Sequence, residues 1–219
     1  MKKLTTSSLK SIAAACMLID HIAAVFTFSP LVTDIMRGIG RLSFPLFAFA
    51  LVEGYNHTRS RSHYILRMGW FATITEICFD LAFYGNWIDF EAQNVLFTFL
   101  ISLLVLEGYS RYKEQGFGFL FVIIGMFVAA LLRTDYHLFG VLMVFSFHYY
   151  RNRPQGYIVA IVLINAIMAL AWSIQLVAVL SLPIIALYNG ERGKGMKYIF
   201  YIFYPGHLLL LYLIRIVWG

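Results

Sequence analysis

Asp20 and His21 are the two residues whose types and position are best suited to chemistry in this chain. They are adjacent within the apolar run from Leu9 to Phe28, LKSIAAACMLIDHIAAVFTF. An aspartate at the centre of a membrane-spanning helix costs about 2.5 to 3.5 kcal/mol on insertion scales, so such a pair marks a functional site more often than a simple anchor. A histidine beside a carboxylate in a low-dielectric chamber suits general-base catalysis. The alternative is an interhelical hydrogen bond that only holds two helices in register.

Four further polar residues suit the same chemistry because they lie in or beside other apolar segments. Arg41 could stabilise a developing oxyanion. The group that holds the His21 ring is open, because adjacent helical residues point about 100° apart and Asp20 need not bond its neighbour. The other candidates for the hydrogen-bond partner of His21 are Glu76, Asp80 and Asp135.

The composition indicates the class of protein that contains these residues. Of 219 residues, 61% are hydrophobic and only 13% are charged. Soluble domains are nearer half apolar and a quarter charged. The sequence therefore predicts an all-α, polytopic integral membrane bundle that forms a single domain over residues 1–219. The net charge of +6 is spread over short loops, as membrane topology requires, so the predicted partner is the lipid bilayer and not nucleic acid.

Nine apolar segments have the length of about 15 to 21 residues that a membrane span needs, although eight to ten spans are compatible with the pattern. The turns at 133–135 and 172–173 could each be a kink within one longer helix. The predicted spans are 9–28, 39–56, 64–84, 93–109, 117–133, 136–150, 157–171, 174–188 and 197–217.

The basic residues predict the orientation of these spans. With a cytoplasmic N-terminus, the nine-span alternation puts 13 of the 17 Lys and Arg residues on the inner side. Cytoplasmic loops are enriched in Lys and Arg. The four basic residues on the outer side are Arg37, Arg41, Arg133 and Arg215.

This topology sorts the polar residues into two groups. The first group lies at mid-depth or towards the outer side and resembles a catalytic or transport chamber, although internal ion pairs such as Arg41 with Asp80 would explain it as well. Its members are Asp20, His21, Arg41, Glu76, Asp80, Asn94, Asp135 and His207. The second group lies at the inner surface and would receive an anion, unless it only sets the topology. Its members are Lys10, His57, Arg59, Arg61, His63 and Arg67.

Familiar catalytic and metal-binding motifs are missing from the sequence. There is no G-x-S-x-G, H-E-x-x-H or P-loop. Cys16 and Cys78 both fall within predicted spans, so no disulfide framework is expected. No metal site is predicted.

Several sequence segments, in order over almost the whole chain, resemble segments of the TraX family. They are LKSIAAACMLIDHIAAVF, RGIGRLSFPLFAFALVEGYNHTR, TEICFDLAF, NVLFTF, DYHLFGVLMVFSFHYYR and YPGHLLLLYLI. The family's namesake is regarded as an integral membrane acetylase that modifies the N-terminus of conjugative pilin with acetyl-CoA. Lys10, ten residues and then His21 also resemble the basic-x10-His pattern of the acyltransferase-three superfamily, whose histidine is regarded as catalytic. That superfamily usually has arginine at the first position, so Lys10 departs from it.

The resemblance implies an acetyltransferase of the bacterial inner membrane that moves an acetyl group from cytosolic acetyl-CoA to an amine or hydroxyl, on a pilin N-terminus or an envelope glycan. His21 would be the base, supported by Asp20, Arg41, Glu76 and Asp80 in the reacting group. A covalent acetyl-histidine intermediate is the other possible route. The residues expected to bind the CoA phosphates are Lys10, His57, Arg59 and Arg61. Those expected to position the acceptor are Asn94, Asp135, Tyr136 and His207.

Two other function classes fit the same residues. Buried Asp, Glu and His chains also build proton relays, as in a proton-coupled transporter. The sequence has no internal repeat of the kind that such transporters commonly display. A non-catalytic membrane assembly factor is the third class, favoured if the acidic group is wholly ion-paired and closed.

Overall fold

The computed structural model describes residues 3–195 and 197–218, except for the side chains of residues 197, 198 and 218. Within these residues the chain is helical, which confirms the all-α prediction. The α-helices are α1 (Thr6–Val25), α2 (Pro30–Arg41), α3 (Ser43–His57), α4 (Arg61–Phe83), α5 (Val95–Tyr112), α6 (Gly118–Leu131), α7 (His137–Tyr149), α8 (Pro154–Ala169), α9 (Ser181–Ala186) and α10 (Lys197–Trp218). Two 3-10 helices span Lys113–Gln115 and Ser173–Leu180.

Each of the nine predicted spans overlaps one of these helical segments. Four segments are long and apolar enough to cross a membrane by length and composition: Thr6–Val25, Pro30–His57, Val95–Gln115 and Ile199–Val217. Four shorter apolar helices cover Gly118–Leu131, His137–Tyr149, Pro154–Ala169 and Ser173–Ala186. The count of nine spans stays a prediction.

One predicted boundary differs from the structure, and one alternative that the sequence left open is decided by it. The second span was expected to begin at residue 39, yet helix begins at Pro30, where proline at the first helical position has its φ already set. The break around residues 133–136 is a turn and not a kink. Arg133, Tyr136 and His137 all have positive φ there, at 52°, 62° and 44°, a conformation that no α-helix continues through.

The chain divides into two compact units, and each is described by itself. Unit 1 comprises Met1–Ala50, Ile77–Ile88 and Asn165–Gly219. Unit 2 comprises Leu51–Glu76 and Asp89–Ile164. The expectation of a single domain over residues 1–219 stays a prediction.

Close packing of α1 against α2 places the first site residues in unit 1. Thr5 caps α1 by accepting a hydrogen bond from the backbone N–H of Ser8, which satisfies one of the unpaired donors of the first turn. Gly40 on α2 has no side chain to separate the helices. A Cβ at that position would lie 2.1 Å from Oδ1 of Asp20, so only glycine allows Asp20 its place.

Candidate active site

Asp20 lies at the centre of an ion-paired group in unit 1. Arg37 donates from Nη1 to Oδ2 of Asp20 at 2.8 Å. Arg41 donates from Nη2 to both oxygens of the same carboxylate, at 3.1 and 3.3 Å. The two arginines are one turn apart on α2, which puts them on one face, and the Arg41 Nε–H also donates to the carbonyl of Arg37 at 3.3 Å.

This ion-paired group is largely removed from solvent and carries an excess of positive charge. The exposed fraction of the side chain is 12% for Asp20, 9% for Arg41 and 26% for Arg37. The guanidinium carbon of Arg41 lies 5.5 Å from the centre of the Trp172 ring, a cation–π contact. Two guanidinium groups share one carboxylate, so the group is suited to stabilise a further negative charge. Arg37 is its most accessible member.

A pair of histidines forms the second part of the site. Nδ1 of His21 and Nε2 of His207 are 2.7 Å apart. Their rings are nearly parallel, at 12°, with centres 5.0 Å apart. The hydrogen-bond partner of His21 is therefore a second histidine, and not one of the carboxylates that the sequence offered.

The hydrogen bonds assign the proton positions of this pair. Nδ1 of His207 is 2.7 Å from the carbonyl oxygen of Phe203, and a carbonyl can only accept, so this nitrogen carries a proton. In the neutral ring, Nε2 of His207 then has a lone pair and accepts from His21. His21 must donate from Nδ1, which leaves the lone pair of the neutral His21 ring on Nε2. Among the described residues, no group donates to that nitrogen.

Aromatic rings hold the two histidines from the sides. Phe83 meets the His21 ring edge to face, with centres 5.3 Å apart. Tyr204 lies 6.2 Å from the same ring. Phe203 stacks on His207 at 4.6 Å. Such walls fix the ring orientation and limit the access of water.

The helix that carries His207 is not interrupted by the proline within it. Pro205 and Gly206 could have kinked or unwound the ninth predicted span. In the structure α10 continues through Pro205 from Lys197 to Trp218. His207 is buried on this helix, with 6% of its surface exposed.

Glu76 and Asn94 meet each other in unit 2. One carboxylate oxygen of Glu76, Oε2, accepts from the backbone N–H of Asn94 at 3.1 Å and from its side-chain amide. Asn94 caps α5 by accepting from the Leu96 N–H at 2.9 Å, and its amide also donates to the Ala72 carbonyl at 2.9 Å. These bonds join α4 to the start of α5, so the geometry favours a framework role. A catalytic role for Glu76 stays a prediction.

Asp135 and Tyr136 belong to the turn between α6 and α7 in unit 2. The carbonyl of Asp135 accepts a hydrogen bond from the Thr98 hydroxyl, and its carboxylate accepts from the Tyr136 N–H at 3.0 Å. Gln93 pairs with the same turn, receiving a hydrogen bond from the Asp135 N–H at 3.0 Å. Asp80 belongs to unit 1. It is buried on the last part of α4.

The predicted anion-binding residues are divided between the two units. Lys10 is in unit 1, with its Nζ 5.9 Å from the centre of the Phe200 ring. His57, Arg59 and Arg61 are in unit 2, and all three are exposed. Arg59 has no salt bridge among the described residues.

The other two basic residues of that set have acidic neighbours. His57 lies 3.8 Å from Oε2 of Glu53 and 2.8 Å from its carbonyl. Arg61 lies 3.7 Å from Oε2 of Glu107. The hydroxyl of Tyr55 donates to the same oxygen at 2.9 Å, and Arg61 covers the Tyr55 ring at 4.6 Å.

Sequence reasoning missed Arg37 and Trp172. Arg37 was treated only as a loop charge on the outer side, although Arg37 and Arg41 are four residues apart and must share a helix face. That spacing could have revealed the pair. Trp172 carries no such signal, since only the packing of the Ser173–Leu180 helix against α2 brings it to Arg41.

Comparisons with known proteins identify a family and a relative. The profile of the family described as TraX protein matches residues 5–215. The probable fimbrial assembly protein FimC, serogroup H1, of Dichelobacter nodosus is 28% identical over 228 residues, which cover 93% of this chain and 92% of that protein. No solved structure matches the chain.

Proposed function

The chain belongs to the TraX family, and from that membership and the His21–His207 pair we propose that it is an integral membrane acetyltransferase. The acyl donor is cytosolic acetyl-CoA. The acceptor is an amine or hydroxyl, with the N-terminus of a pilus subunit as the first candidate and an envelope glycan as the second. The fimbrial assembly role in the name of the Dichelobacter nodosus relative supports the first.

The observation that carries this proposal is the lone pair on Nε2 of His21. The chain of bonds from the Phe203 carbonyl through His207 to Nδ1 of His21 leaves that nitrogen without a proton. A general base needs an accessible lone pair within hydrogen-bond reach of the acceptor proton. A site that only joined two helices would have no need to orient a second imidazole in this way.

The reaction follows from this arrangement. His21 Nε2 removes the proton of the acceptor as the acceptor atom forms a bond to the thioester carbonyl carbon. The tetrahedral intermediate collapses, the carbon–sulfur bond breaks, and the departing thiolate of CoA takes the proton from Nε2. The products are the acetylated acceptor and free CoA, and the histidine regains its starting state.

His207 has a defined task in each step. While His21 carries the extra proton, its Nδ1–H points at the lone pair of His207, so the positive charge is shared between two rings. This shared charge costs less in a buried site than a charge on one ring. His207 thus positions and supports the base, which refines its predicted role in placing the acceptor.

The ion-paired group supplies the electrostatic part of catalysis. The negative charge of the tetrahedral intermediate is stabilised where positive charge is already oriented. Arg37 and Arg41 carry one positive charge more than Asp20 neutralises. We assign Asp20 to holding the two arginines and not to the His21 ring.

The membrane setting is part of the proposal. The four long apolar helices and the four shorter ones account for eight of the nine spans, and α4 is the ninth. With the asymmetry of the basic residues, they support a protein of the bacterial inner membrane with its N-terminus in the cytoplasm. This orientation gives the basic inner surface access to acetyl-CoA.

One experiment tests the activity. The purified full-length protein in detergent is given radiolabelled acetyl-CoA and each candidate acceptor in turn, namely a pilin N-terminal peptide, that peptide with a blocked amine, and a cell-envelope glycan. We expect label in the free-amine peptide or in the glycan. Label in no acceptor, from protein that binds acetyl-CoA, would refute the proposal.

A non-catalytic assembly factor is the second candidate, favoured by the name of the Dichelobacter nodosus relative. Complementation separates the two. If His21→Gln supports pilus assembly as well as the natural protein does, the chain acts as an assembly factor. If the variant is present in the membrane and assembly is altered, the enzyme is supported.

A further inference from the structure

Residues 187–194 of unit 1 cross the start of α1 and are called the basic strap here. The backbone N–H of Ser7 donates to the carbonyl of Arg192 at 3.1 Å. The Ser7 hydroxyl donates to the carbonyls of Arg192 and Lys194, at 3.0 and 2.6 Å. The N–H of Thr6 donates to the carbonyl of Glu191, at 2.9 Å. These bonds fix the strap backbone against the first turn of α1.

Gly193 allows the strap to follow this path. Its φ is +74°, in the left-handed region, where other residues are strained. A Cβ at this position would lie 2.3 Å from Oγ1 and 2.7 Å from Cβ of Thr5. Both the backbone conformation and the close approach to Thr5 therefore require glycine.

The strap brings basic side chains from distant parts of the chain together. Lys3 is held beside the strap because its N–H donates to the carbonyl of Leu187 at 2.9 Å. Arg192 and Lys194 are on the strap itself, and all three side chains are exposed. Lys10 is one to two turns further along α1.

None of these four cations has a carboxylate within 4.0 Å among the described residues. In unit 2 the contrary holds for Arg61 and Arg151, which lie 3.7 Å from Glu107 and 3.4 Å from Glu53. The acid on the strap, Glu191, accepts instead from the Asn189 amide at 3.1 Å. The strap thus gathers positive charge without neutralising it.

Phosphate groups are the ligands that such a surface recognises. Arginine binds phosphate through paired N–H donors, and lysine acts as a point charge. The backbone N–H groups of Thr6 and Ser7 already bond the strap, so the side chains and not the helix N-terminus must make the contacts. Lys10 and His21 are eleven residues apart on α1, about 16 Å along one helix face.

We propose that Lys3, Lys10, Arg192 and Lys194 bind the phosphate groups of the acyl donor. This inference rests on the proposed function, because it assumes that CoA is the donor. It moves the phosphate site from Arg59 and Arg61 to the strap. The pantetheine arm then runs along α1 towards His21.

The test is the affinity of the purified full-length protein for CoA, measured by calorimetry. The double variant R192Q/K194Q removes two charges from the strap. R111Q/K113Q is the matched control, since it removes an arginine and a lysine with the same spacing from the end of α5. We expect the Kd for CoA to rise at least about tenfold in the strap variant and to stay unchanged in the control.

A second variant tests the strap without removing charge. G193A displaces the backbone that holds Arg192 and Lys194, so it should also weaken CoA binding. Unchanged CoA affinity in both strap variants would overturn the proposal. CoA binding that depends on the strap, in a protein that transfers no acetyl group, would support the strap and refute the proposed function.

Anionic lipid is the other source of phosphate, and a separate arm distinguishes it. Short-chain phosphatidylglycerol and phosphatidylcholine are titrated into the natural protein and R192Q/K194Q, and Tm is recorded. A response to phosphatidylglycerol that is lost in the variant, while the Kd for CoA is unchanged, would assign the strap to lipid and overturn its role in donor binding. A loss of CoA affinity with the same lipid response in both proteins is the result we expect.

Discussion

The two units use buried and half-buried charge in different ways. In unit 2, Glu107 is matched by Arg61 and Tyr55, and Glu53 is matched by Arg151 and His57. In unit 1, one carboxylate serves two arginines, and a histidine pair leaves a lone pair open. Matched groups hold helices together, whereas an excess of charge and an unused lone pair are available for a reaction.

Glu76 sharpens this comparison within unit 2. The sequence makes it a catalytic candidate for the same reason as Asp20, since both are acids in apolar segments. The structure gives its carboxylate to the N-terminal cap of α5 through Asn94. A half-buried acid that binds a helix-capping residue has a structural role, whereas the positive excess around Asp20 caps none of the described helices.

The largest effect should follow from His21→Gln. Glutamine retains most of the volume and polarity but has no basic nitrogen, so turnover should fall by about 10² to 10⁴. The measurement is acetyl transfer at saturating acetyl-CoA, with Tm as the control for folding. Near-normal turnover in a well-folded variant would contradict the assignment of the reaction to the histidine pair of unit 1.

Asp20→Ala should have the next effect, on stability. It leaves the buried Arg41 guanidinium and the half-buried Arg37 guanidinium without their carboxylate, and the loss of one partner of a buried ion pair costs about 3 to 5 kcal/mol. Chemical denaturation of the detergent-solubilised protein measures the free energy of unfolding. A cost below about 1 kcal/mol, as for an exposed ion pair, would mean that the group is solvated and does not resemble a reaction site.

His207→Ala should lower turnover by about 10- to 100-fold, the usual cost of losing a group that orients a reacting histidine. His207→Gln tests the mechanism, because a glutamine side chain can still accept from Nδ1 of His21. We expect the glutamine variant to recover part of the rate, with KM for acetyl-CoA unchanged in both. A rise in the KM for the acceptor, with normal kcat, would instead make His207 an acceptor-binding residue.

The smallest effect should come from Glu107→Gln in unit 2. Its side chain is 41% exposed, and exposed ion pairs contribute about 0 to 1 kcal/mol. The free energy of unfolding should change by no more than this, with acetyl transfer unaffected. A large loss of turnover would show that matched pairs also take part in the reaction.

The sequence predicted the helices of this protein better than their contacts. Nine apolar segments could be located because a membrane span requires length and low charge, and Asp20 and His21 stood out because charge is costly there. The sequence did not identify His207 as the partner of His21. Acids were the expected partners, and no sequence pattern indicates a hydrogen bond between two neutral imidazoles. Arg37 was missed because its loop-like surroundings hid a helix of 12 residues.

The boundaries of the elements show the same limit. Hydropathy placed the start of the second span at residue 39, because most of α2 carries too little apolar sequence to be read as a span, and so it missed the helix that begins at Pro30. The pairing of the basic strap with α1 depends on residues more than 180 positions apart. Contacts of that range depend on tertiary packing and not on local pattern.

The central claim is that neutral His21 has its proton on Nδ1 and its lone pair on Nε2, and nitrogen NMR tests it directly. The six histidines are labelled with ¹⁵N, and the His21 signals are assigned by their loss in His21→Gln. We predict a protonated, pyrrole-type signal for Nδ1 and a pyridine-type signal for Nε2, with this preference lost in His207→Ala. A protonated Nε2 and a bare Nδ1 in the natural protein would contradict the account.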